Sequence, residues 1–387
     1  MIIELSGTSI RNKGAELMTA AICSRFHQKY PNVRFAVPQR FGTADERFRY
    51  GLWHKLSSSR YALNRKMPFP EKCALQFAER FIPKRLLSEC GLVTNSNINA
   101  VIDASGFAFG DQLPVQRTLD YIEGLVPIHR RKIPIVLLPQ AFGPFSSSAH
   151  GEAMKRLLDM SELVFARDDL SRQHLDRLSP KDDRIQVCPD LTLALETPGN
   201  GEGTPSPITL VPNSRMLDKI APEDSQQYQE SLVKVILHAD QNKIPLQILL
   251  HDRNEDIQFV EILKRRVKME LRVVMDDDPI RLKSALATSR LVISSRFHAL
   301  AGALSSGIPS IAIGWSHKYD QLMNNFKQTE WSLSSKQAAE SIESCMDAIL
   351  NPDRHLQITQ VLNHQMTGIR NKIETMWQKV DQTIGLA

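Results

Sequence analysis

The amino-acid sequence predicts an α/β protein of two Rossmann-like domains facing each other across a cleft, with a long helix at the C-terminus. Three observations carry this expectation. Short apolar runs such as Ile133–Leu138 and Leu291–Ile293 have the composition of strands buried in a parallel sheet, and each leads through a turn into helical spacing. At 387 residues the chain is too long for one ordinary core. The stretch from Glu196 to Pro207, rich in Gly, Pro, Thr and Glu, divides the strand–helix series into two halves. The expected domains are residues 1–196 and 208–355, joined by a linker at 197–207. Residues 356–387 are expected to form a terminal helix that packs back on the first domain.

In chain order, Ile2–Leu5 is a first strand. Ser6-Gly7-Thr8 and Asn12-Lys13-Gly14 then form a loop before a helix over residues 15–27. The loop lacks a complete G-x-G-x-x-G, so dinucleotide binding is not indicated. Its backbone either faces a ligand or makes a plain tight turn. Val33–Val37 is a second strand. Residues 40–95 are less regular, with helical spacing near Cys73–Phe81, and read as an inserted helical segment or a flap. Ala100–Asp103 is a strand that delivers a carboxylate to a loop holding Gly106 and Gly110. Open parallel sheets place ligand-binding residues just past the C-terminal ends of their strands. Asp103 is therefore a candidate general base or hydroxyl binder; the competing reading is an Asp that caps the next turn. Ile133–Leu138 leads into Pro139-Gln140-Ala141-Phe142-Gly143. A helix at 149–160, a strand at 163–165 with Arg167 beyond it, and a strand at 185–188 complete the first half.

The second half opens on a strand at 208–213, with Asn213 and Arg215 at its end, then a helix at 222–241. A strand at 244–250 ends in His251, and a helix at 255–266 and a strand at 271–275 follow. Asp276-Asp277-Asp278 either points to a metal-bound nucleotide or caps a helix at 279–288; attraction of carboxylates to a helix N-terminus favours the cap. After a strand at 308–313, helices at 335–350 and 356–384 close the chain.

The most informative stretch runs from Leu291 to Leu304. Ser294 and Ser295 are natural N-caps, and Arg296 and His298 fall where the helix begins. Free backbone N–H groups and the helix dipole make that position a site for anions. A guanidinium there opposes the dipole until an anion arrives, so the turn is expected to hold a phosphate or carboxylate. Residues two apart on a regular helix point about 200° away from each other. Arg296 and His298 can therefore share a ligand only if Arg296 precedes the helix. Ser161-x-Leu-Val-x-Ala-Arg167 echoes this pattern. In two facing domains, both arginines would converge; the competing reading pairs Arg167 with Asp168 or Asp169.

Composition narrows the partners. A formal charge of +5, with basic residues interleaved with acids, gives no footprint for nucleic acid, and none is expected. The five cysteines are scattered without a C-x-x-C pair, which fits a reducing, cytoplasmic setting. The start lacks the regions of a signal peptide. No apolar run of about eighteen residues is present, so no integral membrane segment is expected. No metal-ligand spacing is visible, and no metal is expected.

Taken together, Asn12-Lys-Gly-Ala-Glu16, Asp103 with Gly106 and Gly110, Pro139-Gln140-x-x-Gly143-Pro144, Ala166-Arg167-Asp168-x-x-Ser171, Asp190-Leu191, Ser295-Arg296-Phe297-His298 and Gly314-x-x-x-Lys318-Tyr319 occur in one order over residues 1–325. This set resembles the polysaccharide pyruvyl transferases. The resemblance implies a GT-B-like fold and transfer of a pyruvyl group from phosphoenolpyruvate to two hydroxyls of a sugar, as in exopolysaccharide biosynthesis. The products would be a ketal and phosphate, and no cofactor would be needed. The loop has Gly14-Ala15-Glu16 where many relatives have Gly-Asp, a departure from the family pattern, so the resemblance does not by itself carry a carboxylate role over to Glu16.

That chemistry requires a general acid for the methylene carbon, cations for phosphate and carboxylate, and a base for the acceptor hydroxyl. His298 is the candidate acid and Asp103 the candidate base. Arg167, Arg296, Lys318 and Ser295 are the candidates for binding phosphoenolpyruvate. Asn12, Gly14, Gly106, Gln140, Asn213, Arg215 and His251 are the remaining loop or acceptor candidates, with the first domain on the acceptor side. The acceptor glycan is free, polymeric or lipid-linked; a lipid link would bring peripheral association with the inner face of a membrane. Two rivals share the sequence features: a nucleotide-sugar-dependent glycosyltransferase of the same architecture, and a non-catalytic glycan-binding protein.

Overall fold

The computed structural model describes residues 1–10, 12–57, 59, 68–196, 206–251, 253–314 and 317–386. The linker expected at 197–207 lies almost wholly outside them. The chain divides into two compact units, Met1–Leu191 with Lys372–Ala387, and Thr192–Asn371.

The first unit is a parallel sheet with helical crossovers. Its strands are β1 (Ile2–Ser6), β2 (Arg34–Pro38), β3 (Trp53–Lys55), β4 (Leu92–Val93), β5 (Ala100–Asp103), β6 (Ile135–Gln140), β7 (Leu163–Ala166) and β8 (Ile185–Val187). They lie in the order β4-β3-β2-β1-β5-β6-β7-β8, and every neighbouring pair is parallel. The helices are α1 (Lys13–Lys29), α2 (Ala44–Arg49), α3 (Phe69–Phe81), α4 (Lys84–Glu89), α5 (Val115–His129), α6 (Ser148–Met160) and α7 (Asp169–Asp176). β5, β6 and β7 are buried along their whole length, as strands covered on both faces must be. Tyr121, Ile122 and Leu125 of α5 and Met154, Leu157 and Leu158 of α6 pack with Val101, Ile135 and Leu137.

Residues 40–95 are not simply an inserted helical segment. β3 and β4 extend the sheet outward from β2, while α3 and α4 lie between them in sequence. β3 is Trp53-His54-Lys55, mostly polar, and β4 has two residues, which is why spacing did not reveal them.

The second unit repeats the plan on a smaller scale. β9 (Ile208–Val211), β10 (Leu246–Leu249), β11 (Arg272–Val274), β12 (Leu291–Ser294), β13 (Ser310–Ile313) and β14 (Ser332–Leu333) form a parallel sheet in the order β11-β10-β9-β12-β13-β14. Its helices are α8 (Arg215–Asp218), α9 (Pro222–Gln241), α10 (Arg253–Val267), α11 (Pro279–Ala287), α12 (Phe297–Ser305), α13 (His317–Asn325) and α14 (Ser335–Leu350). Asp278 caps α11 by accepting the Ile280 N–H at 2.8 Å, so the acidic turn is a helix start.

Each sheet has one place where successive strands switch direction across it: between β1 and β5 in the first unit, and between β9 and β12 in the second. The loops at such a switch diverge and leave a crevice at the C-terminal strand ends, where open α/β sheets bind ligands.

The final helix, α15 (Pro352–Thr383), has its last turns in the first unit. Trp377 packs edge-on against Phe26 at 5.7 Å. The buried Asp381 carboxylate accepts from Arg25 at 3.1 and 3.3 Å, Lys29 at 2.8 Å and the Tyr30 hydroxyl at 2.9 Å. Burying one carboxylate among two cations stabilises only while all partners remain, because removing it leaves the mostly buried Arg25 with only the longer pairing to Glu374 at 3.6 Å.

Two outcomes follow for the scaffold. Asp381→Ala is expected to lower the stability of the first unfolding transition by about 3 kcal/mol in urea titration. Burial pushes the Cys23 and Cys188 thiols up to about 12, so both stay protonated, whereas Cys73 and Cys90 are exposed. An aromatic disulfide reagent should therefore label Cys73 and Cys90 quickly in the native protein and reach Cys23 and Cys188 only on denaturation.

Candidate functional site

The second unit's switch point is built around one backbone carbonyl. Ser294 closes β12, and its hydroxyl accepts the Arg296 N–H at 2.9 Å. That bond holds Arg296 extended, at φ −113° and ψ 119°, as the cap of α12. Arg296 thus lies in the turn, and His298 is the second residue of the helix. The opposed directions expected of two helical positions do not apply to this pair. The Ser295 carbonyl accepts from Asn213 Nδ2 at 2.9 Å and from the Tyr319 hydroxyl at 2.7 Å. These bonds join the end of β9, the end of β12 and α13. Ser295 is itself buried, so its contribution is this carbonyl and not a side chain displayed to a ligand.

Asn213 is also a clasp. Its Oδ1 accepts the Arg215 N–H at 3.2 Å, and its own N–H donates to the Tyr228 hydroxyl at 3.0 Å. Tyr228 is fully buried, and burial holds its phenol well above the usual range, so it stays a neutral hydroxyl. Arg215 begins α8 and is exposed.

Arg296 does not stand alone. Its Nη2 donates to the buried Asp256 carboxylate at 2.5 Å, and the same oxygen accepts the Ser214 N–H at 3.0 Å. The expectation of a guanidinium devoted to an anion is corrected to one oriented, and partly neutralised, by Asp256. The Arg296 Nε is buried without a hydrogen-bond partner, and a guanidinium carries five donors, so the pair leaves capacity for an anion. Asp256 had no signal in the sequence, because it reads as one more polar residue on an amphipathic helix.

His298 is half-buried, with its ring edge-on to Phe297 at 5.3 Å. His251, just past β10, lies with its ring centroid 6.5 Å from that of His298 and its plane within 14°. His251, Asn213 and the Ser295–His298 turn therefore sit past β10, β9 and β12, three adjacent strands. Lys318, on α13, is partly exposed with its Nζ 5.2 Å from the Tyr319 ring. Among the described residues no group of three or more His, Cys, Asp or Glu side chains is arranged to hold a metal.

The first unit's switch point is organised by Asp103. Its Oδ2 accepts from the Ser6 hydroxyl at 3.2 Å and the Ser105 hydroxyl at 3.0 Å. Its Oδ1 accepts from the Ser105 N–H at 3.1 Å and from Gln140 Nε2 at 3.0 Å. The Ser6 hydroxyl also meets Tyr121 at 3.0 Å. A carboxylate offers about four lone-pair sites, and this buried group has four protein donors. Asp103 is therefore a positioning residue that ties three strand-end loops together, and this arrangement corrects its assignment as a base.

Gly7 makes that closure possible: its φ is +76°, and a Cβ there would fall 2.6 Å from the Ser105 backbone nitrogen. Gly106 also has a positive φ, +71°, and its carbonyl accepts the Ala141 N–H.

The other first-unit candidates take local roles. Asn12 caps α1, accepting from Gly14 N–H at 2.9 Å and Ala15 N–H at 3.4 Å, which places Gly14 in the first turn. Glu16 is buried against Lys13 at 2.8 Å, Arg49 at 3.3 Å and the Tyr50 hydroxyl at 2.8 Å. Arg167 pairs with Asp190 at 3.6 Å, while Asp168 caps α7; the competing pairing with Asp168 or Asp169 is corrected accordingly. The echo between Arg167 and Arg296 is local only. β12 adjoins its switch point, whereas β7 lies two strands beyond β5, so the counterpart of the Arg296 turn is the Asp103 turn.

Gly7→Ala should destabilise the first unit by about 2 kcal/mol or more, since backbone strain and overpacking add. Gly106→Ala, where the nearest atom to a Cβ is the flexible Met18 sulfur at 3.6 Å, should cost only about 1 kcal/mol. Urea midpoints of the two variants check this order.

Comparison with known proteins fits this geometry. In structure the chain is similar to a glycosyltransferase from Rickettsia africae ESF-5, with TM-score 0.59 and 15% identity over 100% of this chain and 99% of that one. It is similar to a protein assigned as a UDP-N-acetylglucosamine 2-epimerase from Listeria monocytogenes, with TM-score 0.61 and 9% identity over 100% and 97%. It is also similar to UDP-GlcNAc 2-epimerase from Neisseria meningitidis bound to UDP-GlcNAc, with TM-score 0.57 and 10% identity over 98% and 99%. At such identities these likenesses establish the GT-B-like fold alone. No curated protein matches the chain in sequence. The family model described as polysaccharide pyruvyl transferase matches residues 12–317, a span that includes both switch-point turns from Asn12 to His298, and the chain belongs to that family of transferases.

Proposed function

We propose that the protein transfers the pyruvyl group of phosphoenolpyruvate onto two hydroxyls of a sugar in a glycan. The observation that carries this reading is the turn at the second switch point: a guanidinium at the cap of α12 and an imidazole one step into the helix. A helix N-terminus with an oriented arginine suits a phosphate or carboxylate, and phosphoenolpyruvate has both.

In this reading Arg296 and the first N–H groups of α12 bind the donor's anionic groups, with Lys318 adding a point charge. His298, as imidazolium, gives its proton to the methylene carbon, which becomes a methyl group and leaves C2 with oxocarbenium character. One sugar hydroxyl adds to C2. The second displaces phosphate and closes the ketal. Of the two hydroxyl protons, one replaces that given up by His298 and the other leaves on hydrogen phosphate, so the reaction needs no cofactor. A bound phosphate dianion favours the imidazolium and so favours the acid form of His298. His251, with its ring centroid 6.5 Å from that of His298, is assigned in this reading to the same donor site. The first unit's strand-end loops, with Gln140 held by Asp103 and Gly106 by the Ala141 N–H, are assigned to the acceptor. Arg167 stays a second anion-binding candidate within its own unit.

The test is phosphate release from phosphoenolpyruvate across a panel of glycan acceptors, with the matching mass gain on the acceptor. His298→Ala should lower kcat by about 100-fold or more, the scale of a lost general acid, while phosphoenolpyruvate affinity changes only a few-fold. Arg296→Lys should instead raise KM for phosphoenolpyruvate, since a point charge does not replace a fork. Release of UDP from a sugar nucleotide, without phosphate from phosphoenolpyruvate, would replace this reading with a glycosyltransferase. Glycan binding with no turnover of either donor would make the protein a binding module.

A further inference from the structure

We propose that Phe107 is the stacking platform for the acceptor sugar, a role that rests on assigning the first unit's strand-end loops to the acceptor. The Phe107 N–H donates to the Ser105 carbonyl at 2.8 Å, which closes a three-residue turn around Gly106. That turn is pinned on both sides. Before it, Asp103 holds Ser105 by its hydroxyl at 3.0 Å and its N–H at 3.1 Å. After it, Phe109 is buried and stacks on Phe142 at 6.2 Å with the planes 11° apart. The Gly106 and Phe109 carbonyls accept the Ala141 and Gly143 N–H groups, both at 2.9 Å. The pinned loop thus buries one aromatic ring and displays another, for Phe107 is 41% exposed. A single exposed apolar residue is ordinary in itself. This one is set apart by its fixed place at a switch point, where open α/β sheets take their ligands.

Two polar atoms select the occupant. Gln140 Nε2 donates to the Asp103 carboxylate, and since a carboxylate accepts, the amide oxygen must turn the other way. Gln140 Oε1 is buried and has no hydrogen-bond partner among the described residues. The same holds for Thr8 Oγ1. Both belong to the loops that meet the Phe107 turn: Gln140 precedes Ala141, which bonds Gly106, and Thr8 follows Gly7, which abuts Ser105. Buried polar atoms of this kind are met by water or by a ligand. Oε1 can only accept, so its ligand brings a donor, which a bare anion does not have. An aliphatic chain would use the ring and leave both polar atoms unmet. A pyranose satisfies all three, with C–H groups on one face and hydroxyls around its rim. Its C–H face lies on the Phe107 ring, and its hydroxyls reach Oε1 and Oγ1 directly or through one bound water.

The experiment has two readouts on the full chain, with circular dichroism to confirm that each variant folds. The first is acceptor KM from phosphate release, using the glycan of the panel that supports it. Phe107→Ala should raise acceptor KM about tenfold and leave KM for phosphoenolpyruvate within about two-fold. Phe107→Trp should keep the wild-type acceptor KM, whereas Phe107→Leu, apolar but without a ring face, should behave as the alanine variant does. Thr8→Val removes a hydroxyl that no described group meets, so Tm should hold or rise while acceptor KM rises. The second readout needs no donor and no turnover. Saturation-transfer NMR with methyl β-D-galactopyranoside, whose C–H groups gather on one face, should mark that face with the wild-type protein and lose the signal with Phe107→Ala. An unchanged acceptor KM in Phe107→Ala overturns the platform and leaves the pyruvyl transfer reading standing. Wild-type protein that marks no single face of the glycoside overturns it too, as does a leucine variant equal to the tryptophan one. A one-face signal that Phe107→Ala abolishes, without phosphate release from any acceptor, keeps the platform and removes the pyruvyl transfer reading.

Discussion

The Ser295 carbonyl is the constraint on which the second unit's site depends. It receives Asn213 from the end of β9 and Tyr319 from α13, and each bond is made away from bulk water, where a missing partner would cost most. Once that carbonyl is held, the chain leaves β12 in one direction only. The Ser294 hydroxyl then turns the Arg296 N–H inward, Arg296 becomes the cap, and His298 enters the helix as its second residue. Buried polar groups thus determine where the ionisable ones point. Tyr228 and Asp256 serve the same end from α9 and α10, one supporting Asn213 and the other turning the guanidinium of Arg296.

The first unit solves the equivalent problem with a carboxylate. Asp103 occupies the position in its sheet that Ser294 and its turn occupy in the other, at the end of the strand just across the switch. There the strand-end loops are gathered on a side chain instead of a carbonyl, and Gly7 permits the close approach. The consequence is functional. A carboxylate with all its lone pairs engaged holds a shape, whereas an imidazole at a helix start can exchange a proton. The two turns are alike in topology and unlike in chemistry.

Much of this was legible in advance. β5, β6 and β12 open on continuous apolar runs, and such runs are read correctly when both faces of a strand are buried. The position of Arg296 and His298 at the start of a helix followed from the serines before them. β3, β4 and β14 were not legible, because β3 is Trp53-His54-Lys55, with two polar residues of three, and β4 and β14 are two residues long. The partners of charged residues were not legible either. Arg167 meets Asp190 and not its immediate neighbours, Arg296 meets Asp256, and Asp381 gathers residues some 350 positions away. Nothing in local spacing ranks one carboxylate above another as a distant partner.

By itself the sequence determined the α/β class, the parallel strands and the helix start that brings a histidine and an arginine together, because these rest on local periodicity and capping. Only the tertiary structure decided which polar residues are scaffolding and which remain available for chemistry. Asp103 changed from base to tie, and Arg296 from lone cation to one half of a pair. The physical reason is that availability depends on how many of a group's hydrogen-bonding sites are already taken in space, and those partners come from strand ends far apart in the chain.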